Sequence, residues 1–164
     1  MTILRSLFQY KAWANAELFA ALKRSHDTLP AEAQHLALRI LNHIYVVDRI
    51  FAAHLQGISH PYIATNTPDT PQLSDLQQSL AHSDAWFVDY VPSLDNQMLN
   101  VSLTFTFVDD GNQGVMSREA ILMHLITHGS YHRGSVGRLL IEHGITPPRD
   151  IFSRFVQLPV PPVA

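Results

Sequence analysis

Apolar residues recur at helical spacing along most of the chain. Between about Thr2 and His26 they fall at Leu4, Leu7, Phe8, Ala14, Leu18, Ala21 and Leu22, with Lys11, Glu17 and Lys23 largely off the stripe. That spacing predicts an amphipathic helix. Asp27 to Pro30 interrupts it, and Pro30 suits the first turn of a second helix, where its missing amide costs nothing. Gly57 is a stop signal for that helix after about Gln56. Ser59 to Pro71, dense in Pro, Thr, Asn and Asp, reads as a loop. A third helix follows from about Ser74, with Leu73, Leu76, Leu80, Phe87 and Val91 on one face.

The period then changes. From Leu99 to Phe107, Val101, Leu103, Phe105 and Phe107 alternate with polar residues, Asp109-Asp110-Gly111-Asn112 is a turn signal, and Val115-Met116 returns as a short partner strand. Ser117 then caps a fourth helix, Glu119 favours its positive start, and the pattern runs to Glu142. Gly144 and Pro147-Pro148 end it. Ile151, Phe152 and Phe155 suggest one short helix or turn, and residues 159–164 an extended tail. The expectation is an all-α fold: a four-helix bundle with a small β-hairpin insertion before the last long helix, one domain over residues 1–158.

Composition narrows the function classes. A 46% hydrophobic, 15% charged chain of 164 residues is globular and large enough for one core. A net charge of −3 with scattered basic residues is no footprint for nucleic acid. No stretch approaches the roughly 18 apolar residues of a membrane span, and the N-terminal segment has no signal-peptide core, so the expected location is the cytoplasm. The absence of cysteine removes disulfides, thiolate ligands and a cysteine nucleophile.

Ten histidines make their placement the next question. The stripe of the fourth helix reads Ile121, Leu125, His128, His132, Leu139, so two histidines one turn apart stand where leucine is expected. The second helix reads Leu36, Ile40, His43, Val47, Ile50, with His43 at its centre. Facing stripes in a bundle core build metal sites in this way. Core histidines bonded to a carbonyl or carboxylate are the competing explanation, and the overlapping pair His124 and His128 shows that four-residue spacing alone is weakly specific. His124, at the stripe edge, is a candidate hydrogen-bond partner behind a ligand. His26, His35, His54, His60, His82 and His143 read as solvated surface.

The stretch His124-Leu125-Ile126-Thr127-His128-Gly129-Ser130-Tyr131-His132-Arg133-Gly134 resembles the H-x-x-x-H-R-G element of the DinB family, the DinB/YfiT-like candidate metalloenzymes. Tyr10-Lys11-Ala12-Trp13-Ala14-Asn15 resembles the family's early Y-x-x-W-x-N helix. Leu41-Asn42-His43-Ile44 with Asp48-Arg49 resembles the segment of the first histidine ligand, and Gly144 to Asp150 the turn and acidic residue after the last helix. The resemblance implies a four-helix bundle of unusual topology, often dimeric, with zinc or nickel on His43, His128 and His132.

Three ligands on one divalent ion, Zn or Ni, leave a position open to water or substrate. Such an open site suits a metal-dependent enzyme; relatives in the wider superfamily include thiol S-transferases, and that resemblance implies a metal that activates the thiol of a small cosubstrate against an electrophile, with a hydrolase that activates water as the second version. The catalytic residues are unassigned. Arg133 is a candidate for a substrate carboxylate, Tyr131 for packing or acid catalysis, and Asp150 for orienting a ligand histidine or capping the segment after Pro148. The alternative is a non-catalytic, stress-associated metal-binding dimer with a structural ion. A homodimer is suggested by the apolar Trp13 and Phe19 side of the first helix, which otherwise completes the core of one chain.

Overall fold

The computed structural model describes residues 3–158, and the expected tail at 159–164 lies outside them. The chain is mostly helical, with one small antiparallel sheet. Its elements are α1 (Ile3–Arg24), α2 (Ala31–Gln56), α3 (Leu73–Tyr90), a 3-10 turn (Val91–Ser93), α4 (Asn96–Leu99), β1 (Ser102–Thr106), β2 (Gln113–Ser117), α5 (Arg118–Glu142) and α6 (Phe152–Phe155). The local signals act where expected. Gly57 caps α2 in the left-handed region at φ 69°, and the Ser117 hydroxyl accepts from the Ala120 amide at the start of α5. The hairpin pairs Phe105 with Gly114 and Leu103 with Met116. The 3-10 turn and α4 were not expected.

The strongest packing runs α1–α3–α2–α5 and back to α1, so the consecutive helices α1 and α2 are not close neighbours. Two apolar clusters give the helix directions. One holds Leu4 and Phe8, Phe51 and Leu55, Phe87, and Ile121 to Ile126. The other holds Leu18 and Leu22, Leu41 and Ile44, Leu76 and Leu80, and Val136 and Leu140. Hence α1 and α5 run one way, and α2 and α3 the other. Parallel neighbours such as α2 and α3 require a connection that travels the length of the helices. The loop of residues 57–72 makes that journey, and helix side chains satisfy its polar groups along the way. Arg39 donates to the Thr67 carbonyl at 2.7 Å, and Asn42 donates to Asn66 and to Thr67.

Between the two apolar clusters lies a polar layer to which every long helix contributes. The ammonium of Lys11 lies 2.5 Å from Asp48 and 2.7 Å from Asp84, Asn15 donates to Asp84 at 2.7 Å, and Arg133 donates to Asp150 at 2.7 Å and to Asn15 at 3.3 Å. Tyr10 donates to Asp150. This layer corrects several expectations. Lys11 is not off the stripe but 1% exposed, because α2 and α3 each bring a carboxylate to it. The buried face of α2 runs through Ala37, Leu41, Ile44 and Asp48, whereas Leu36 is 49% exposed, so His43 stands beside that face and not at its centre. In α5 the buried line passes through Leu122, Ile126, Gly129, Arg133 and Leu140, with His128 and His132 half-buried on its flank. Among the described residues no helix is long and apolar enough to cross a membrane.

Candidate metal centre

α2 and α5 pack directly on each other and bring His43, His128 and His132 into one group. Their nearest ligand atoms all lie within 4.8 Å of one another. The ring centroids are 4.8 Å apart for His43 and His128, 4.6 Å for His43 and His132, and 4.5 Å for His128 and His132. The one-turn spacing in α5 sets the last of these, and helix packing sets the other two.

The hydrogen bonds decide which ring nitrogens are offered. His43 Nδ1 is 2.7 Å from the Thr65 carbonyl oxygen. A carbonyl can only accept, so the proton of a neutral His43 is on Nδ1 and its Nε2 carries a lone pair. That Nε2 faces His128 Nε2 at 3.0 Å. If His128 donates there, its Nδ1 becomes an acceptor, and that atom is buried with no partner. If it does not donate, two lone pairs face each other. A divalent ion between the two Nε2 atoms takes up both lone pairs and leaves the His128 proton on Nδ1. Metal–nitrogen bonds of about 2.0–2.1 Å at a tetrahedral angle place two nitrogens about 3.3 Å apart, close to the observed separation. The residues therefore fit a divalent ion with nitrogen ligands.

Electrostatics also favour the neutral rings that ligation requires. Burial pushes His128 down to about 3, with His132, His43, His124 and Lys11 adding in the same direction. Burial and then His43 lower His132. Among the described residues no carboxylate is hydrogen-bonded to any of the three.

One side of the group opens on a cavity of about 190 Å³ that His43 and His128 share with Phe51, His54, Phe105 and His124. His124 is half-buried in its wall, with its ring 5.3 Å from that of His128. Expectation and structure part at His54 and His60, which are half-buried and face each other with ring centroids 5.2 Å apart. Their place depends on the long loop folding back beside α2, for which residue spacing carries no signal.

The remaining candidates fall outside the group. Arg133 is 2% exposed and bonded to Asp150, Asn15 and Ser130, and it does not line the cavity beside the histidines. Asp150 accepts from Arg133 and Tyr10; it neither orients a ligand histidine nor caps α6, whose preceding residue is Ile151. Tyr131 is 74% exposed, its ring edge-on to His132 at 5.1 Å, so it does not pack in the core. Phe19 is 2% exposed, and Trp13 packs on Tyr10 and Phe155, so the apolar side of α1 is used within this chain.

Gly129, within the His128-to-His132 turn, links the two polar groups. A Cβ there would lie 3.1 Å from Arg133 Nη1 and 3.5 Å from Lys11 Cε. The lysine stem would be at ordinary contact distance, whereas the Arg133 guanidinium would have to give by a few tenths of an ångström.

The comparisons agree with the motifs. A family model described as the DinB family matches residues 1–158. The chain is also similar to Protein DinB of Bacillus subtilis (strain 168), at 24% identity over 157 residues and 84% of each chain. With a family match spanning both polar groups and all four long helices, this chain belongs to the DinB family.

Proposed function

We propose that the protein, built as a four-helix bundle, binds one divalent ion, Zn or Ni, on His43, His128 and His132, and works as a metal-dependent transferase on a small thiol cosubstrate. The observation that carries this reading is the three-histidine group standing against a cavity that shares two of its residues. A closed structural site would have a fourth protein ligand in place of that space. When bound, such an ion lowers the pKa of a thiol or water beside it towards neutrality.

The chain's own residues do the rest. The Thr65 carbonyl holds the His43 tautomer, and burial keeps His128 and His132 neutral. Val47, Ile50 and Phe105 give apolar walls to the space where an electrophile would lie. Hydrolysis ranks second. It needs a base beside the water, and the one carboxylate lining the cavity, Asp109, is exposed on the hairpin turn. The third reading is a non-catalytic, stress-associated dimer with a structural ion, and Trp13 and Phe19 lend that dimer no support. A cytoplasmic location suits the main reading, since small thiols are kept reduced there.

The test is metal content by elemental mass spectrometry on untagged protein, together with thiol binding to the cobalt-loaded form, read as sulfur-to-metal charge-transfer absorbance. About one ion per chain and a saturable thiol signal are expected. Protein that takes up no ion after reconstitution overturns the metal site. Metal-replete protein that gives no thiol signal overturns the transferase reading and favours the structural ion.

A further inference from the structure

The cavity beside the histidines has a composition that selects its occupant. Its walls come from α2, α5 and the β-hairpin: Val47 and Ile50, the rings of Phe51, Phe105 and Phe107, and Val108 at the edge. At about 190 Å³ it has room for about six water molecules at roughly 30 Å³ each. That is below the roughly 300–1,000 Å³ of pockets for drug-sized ligands.

Charge is the second constraint. Among the described residues no lysine or arginine lines the space, and the only charged side chain that does is the carboxylate of Asp109. The two further imidazoles in the wall are His124 and His54, the latter lowered by burial and then by His60. A carboxylate or phosphate entering here would lose its hydration and meet no cation from the chain.

A polar handle exists nonetheless. The ring of His54 lies stacked on Phe105, at 4.9 Å between centroids and 23° between planes, and its Nε2 is buried without a partner. A neutral imidazole held in one orientation can exchange one hydrogen bond with an uncharged group. The hairpin that supplies Phe105 depends on Gly114, its partner in register. A Cβ at that position would come within 2.8 Å of both Phe105 and Phe107. The two rings therefore lie across the strand backbone, where they close this side of the cavity.

We propose that this cavity is the binding site for the second substrate, a small uncharged molecule with an aromatic or aliphatic body and one hydrogen-bonding group, and that it discriminates against anions. The inference rests on the metal reading only for the identity of that molecule as the partner of a metal-activated thiol; the selectivity belongs to the chain itself.

Benzamide and benzoate, nearly equal in shape and different in charge, test it. Each is titrated into full-length protein by NMR, once after chelation and once after metal loading, with metal content measured on the same samples. In metal-free protein benzamide is expected to shift the signals of His54, His124 and Phe105, and benzoate to bind at least tenfold more weakly. Thr106→Arg, at an exposed position lining the cavity, should narrow or reverse that ratio, and Val108→Arg should do the same. Equal or tighter benzoate binding to the metal-free wild type, shifts confined to another part of the protein, or no benzamide binding up to its solubility overturns the proposal. Selective benzamide binding by a protein that takes up no metal would instead preserve the cavity and remove the metal reading. Metal-replete protein with no selectivity would do the reverse.

Discussion

His132 and Arg133 are adjacent in α5, yet they belong to two polar groups that the protein treats in opposite ways. Arg133 enters a layer in which nearly every polar atom has a partner from the same chain: Lys11 between Asp48 and Asp84, Asn15 between Asp84 and Arg133, Asp150 between Arg133 and Tyr10. His132 enters a group in which one ring nitrogen of His128 is buried and unpartnered, and His43 and His128 face each other at 3.0 Å. A satisfied buried network holds helices in register. An unsatisfied one, open on a cavity, is a place for something the chain does not itself supply.

The balance of charge inside the layer sharpens the contrast. Burial alone would lower the Lys11 ammonium, but Asp48 and Asp84 outweigh it and raise its pKa. Asp48 shares that one ammonium with Asp84 and leaves Oδ1 unpartnered, and burial pushes it up to about 6.

The comparison can be broken most directly at the histidines. His128→Ala and His132→Ala are each expected to lose the ion altogether, while the metal-free variants stay within about 1 kcal/mol of metal-free wild type, since exchanging a half-buried ring for a methyl removes at most the one contact between His128 and His43. Elemental analysis and urea unfolding of chelated samples check both halves. A large stability loss without metal would make the trio part of the scaffold.

Lys11→Met should behave in the opposite way. It leaves two carboxylates buried without their cation, a change that costs about 3–5 kcal/mol and lowers the melting temperature by roughly 6–20 °C. At temperatures where the variant is folded, its metal stoichiometry should remain near that of wild type. Loss of metal in the folded variant would show that the layer also tunes the ligands.

Gly114→Ala is expected to cost about 1–3 kcal/mol, because its methyl group collides with Phe105 and Phe107. Metal content should be unchanged and benzamide affinity reduced, which separates the cavity wall from the ligand set.

The smallest effect lies at Tyr10. Burial, and then its bond to Asp150, raise its phenol to about 12, above the value of 10.0 it has when unfolded. The folded state therefore favours the protonated form. This contribution is fully present below pH 10 and is lost as pH rises through about 12. Burial raises the Tyr62 phenol to about 12 as well, so tyrosinate absorbance of native protein should show a late-titrating component that falls by about half in Tyr10→Phe. A late component of undiminished amplitude in Tyr10→Phe would contradict the assignment.

The family motifs divide between the two groups in a way their spelling does not reveal. Tyr10 and Asn15 from the first motif, Arg133 from the third and Asp150 from the last all converge on the paired layer, whereas His43, His128 and His132 form the open group. A motif read as chemistry is thus in large part scaffold.

What the sequence determined by itself is local. The long helices, the hairpin and the stops at Gly57 and Gly144 follow from periodicity, turn chemistry and caps, which depend on neighbours a few residues away. The two α5 histidines were legible for the same reason, since one helical turn places both rings on one face. Only the tertiary structure decided which face of each helix is buried. Lys11 and Arg133 are interior because carboxylates from Asp48, Asp84 and Asp150 reach them from other segments, and no window of sequence contains both partners. The tertiary structure also placed His43 against α5, and His54 and His124 around one cavity. Burial of a charged or polar side chain depends on what arrives opposite it, and that is a property of the assembled helices.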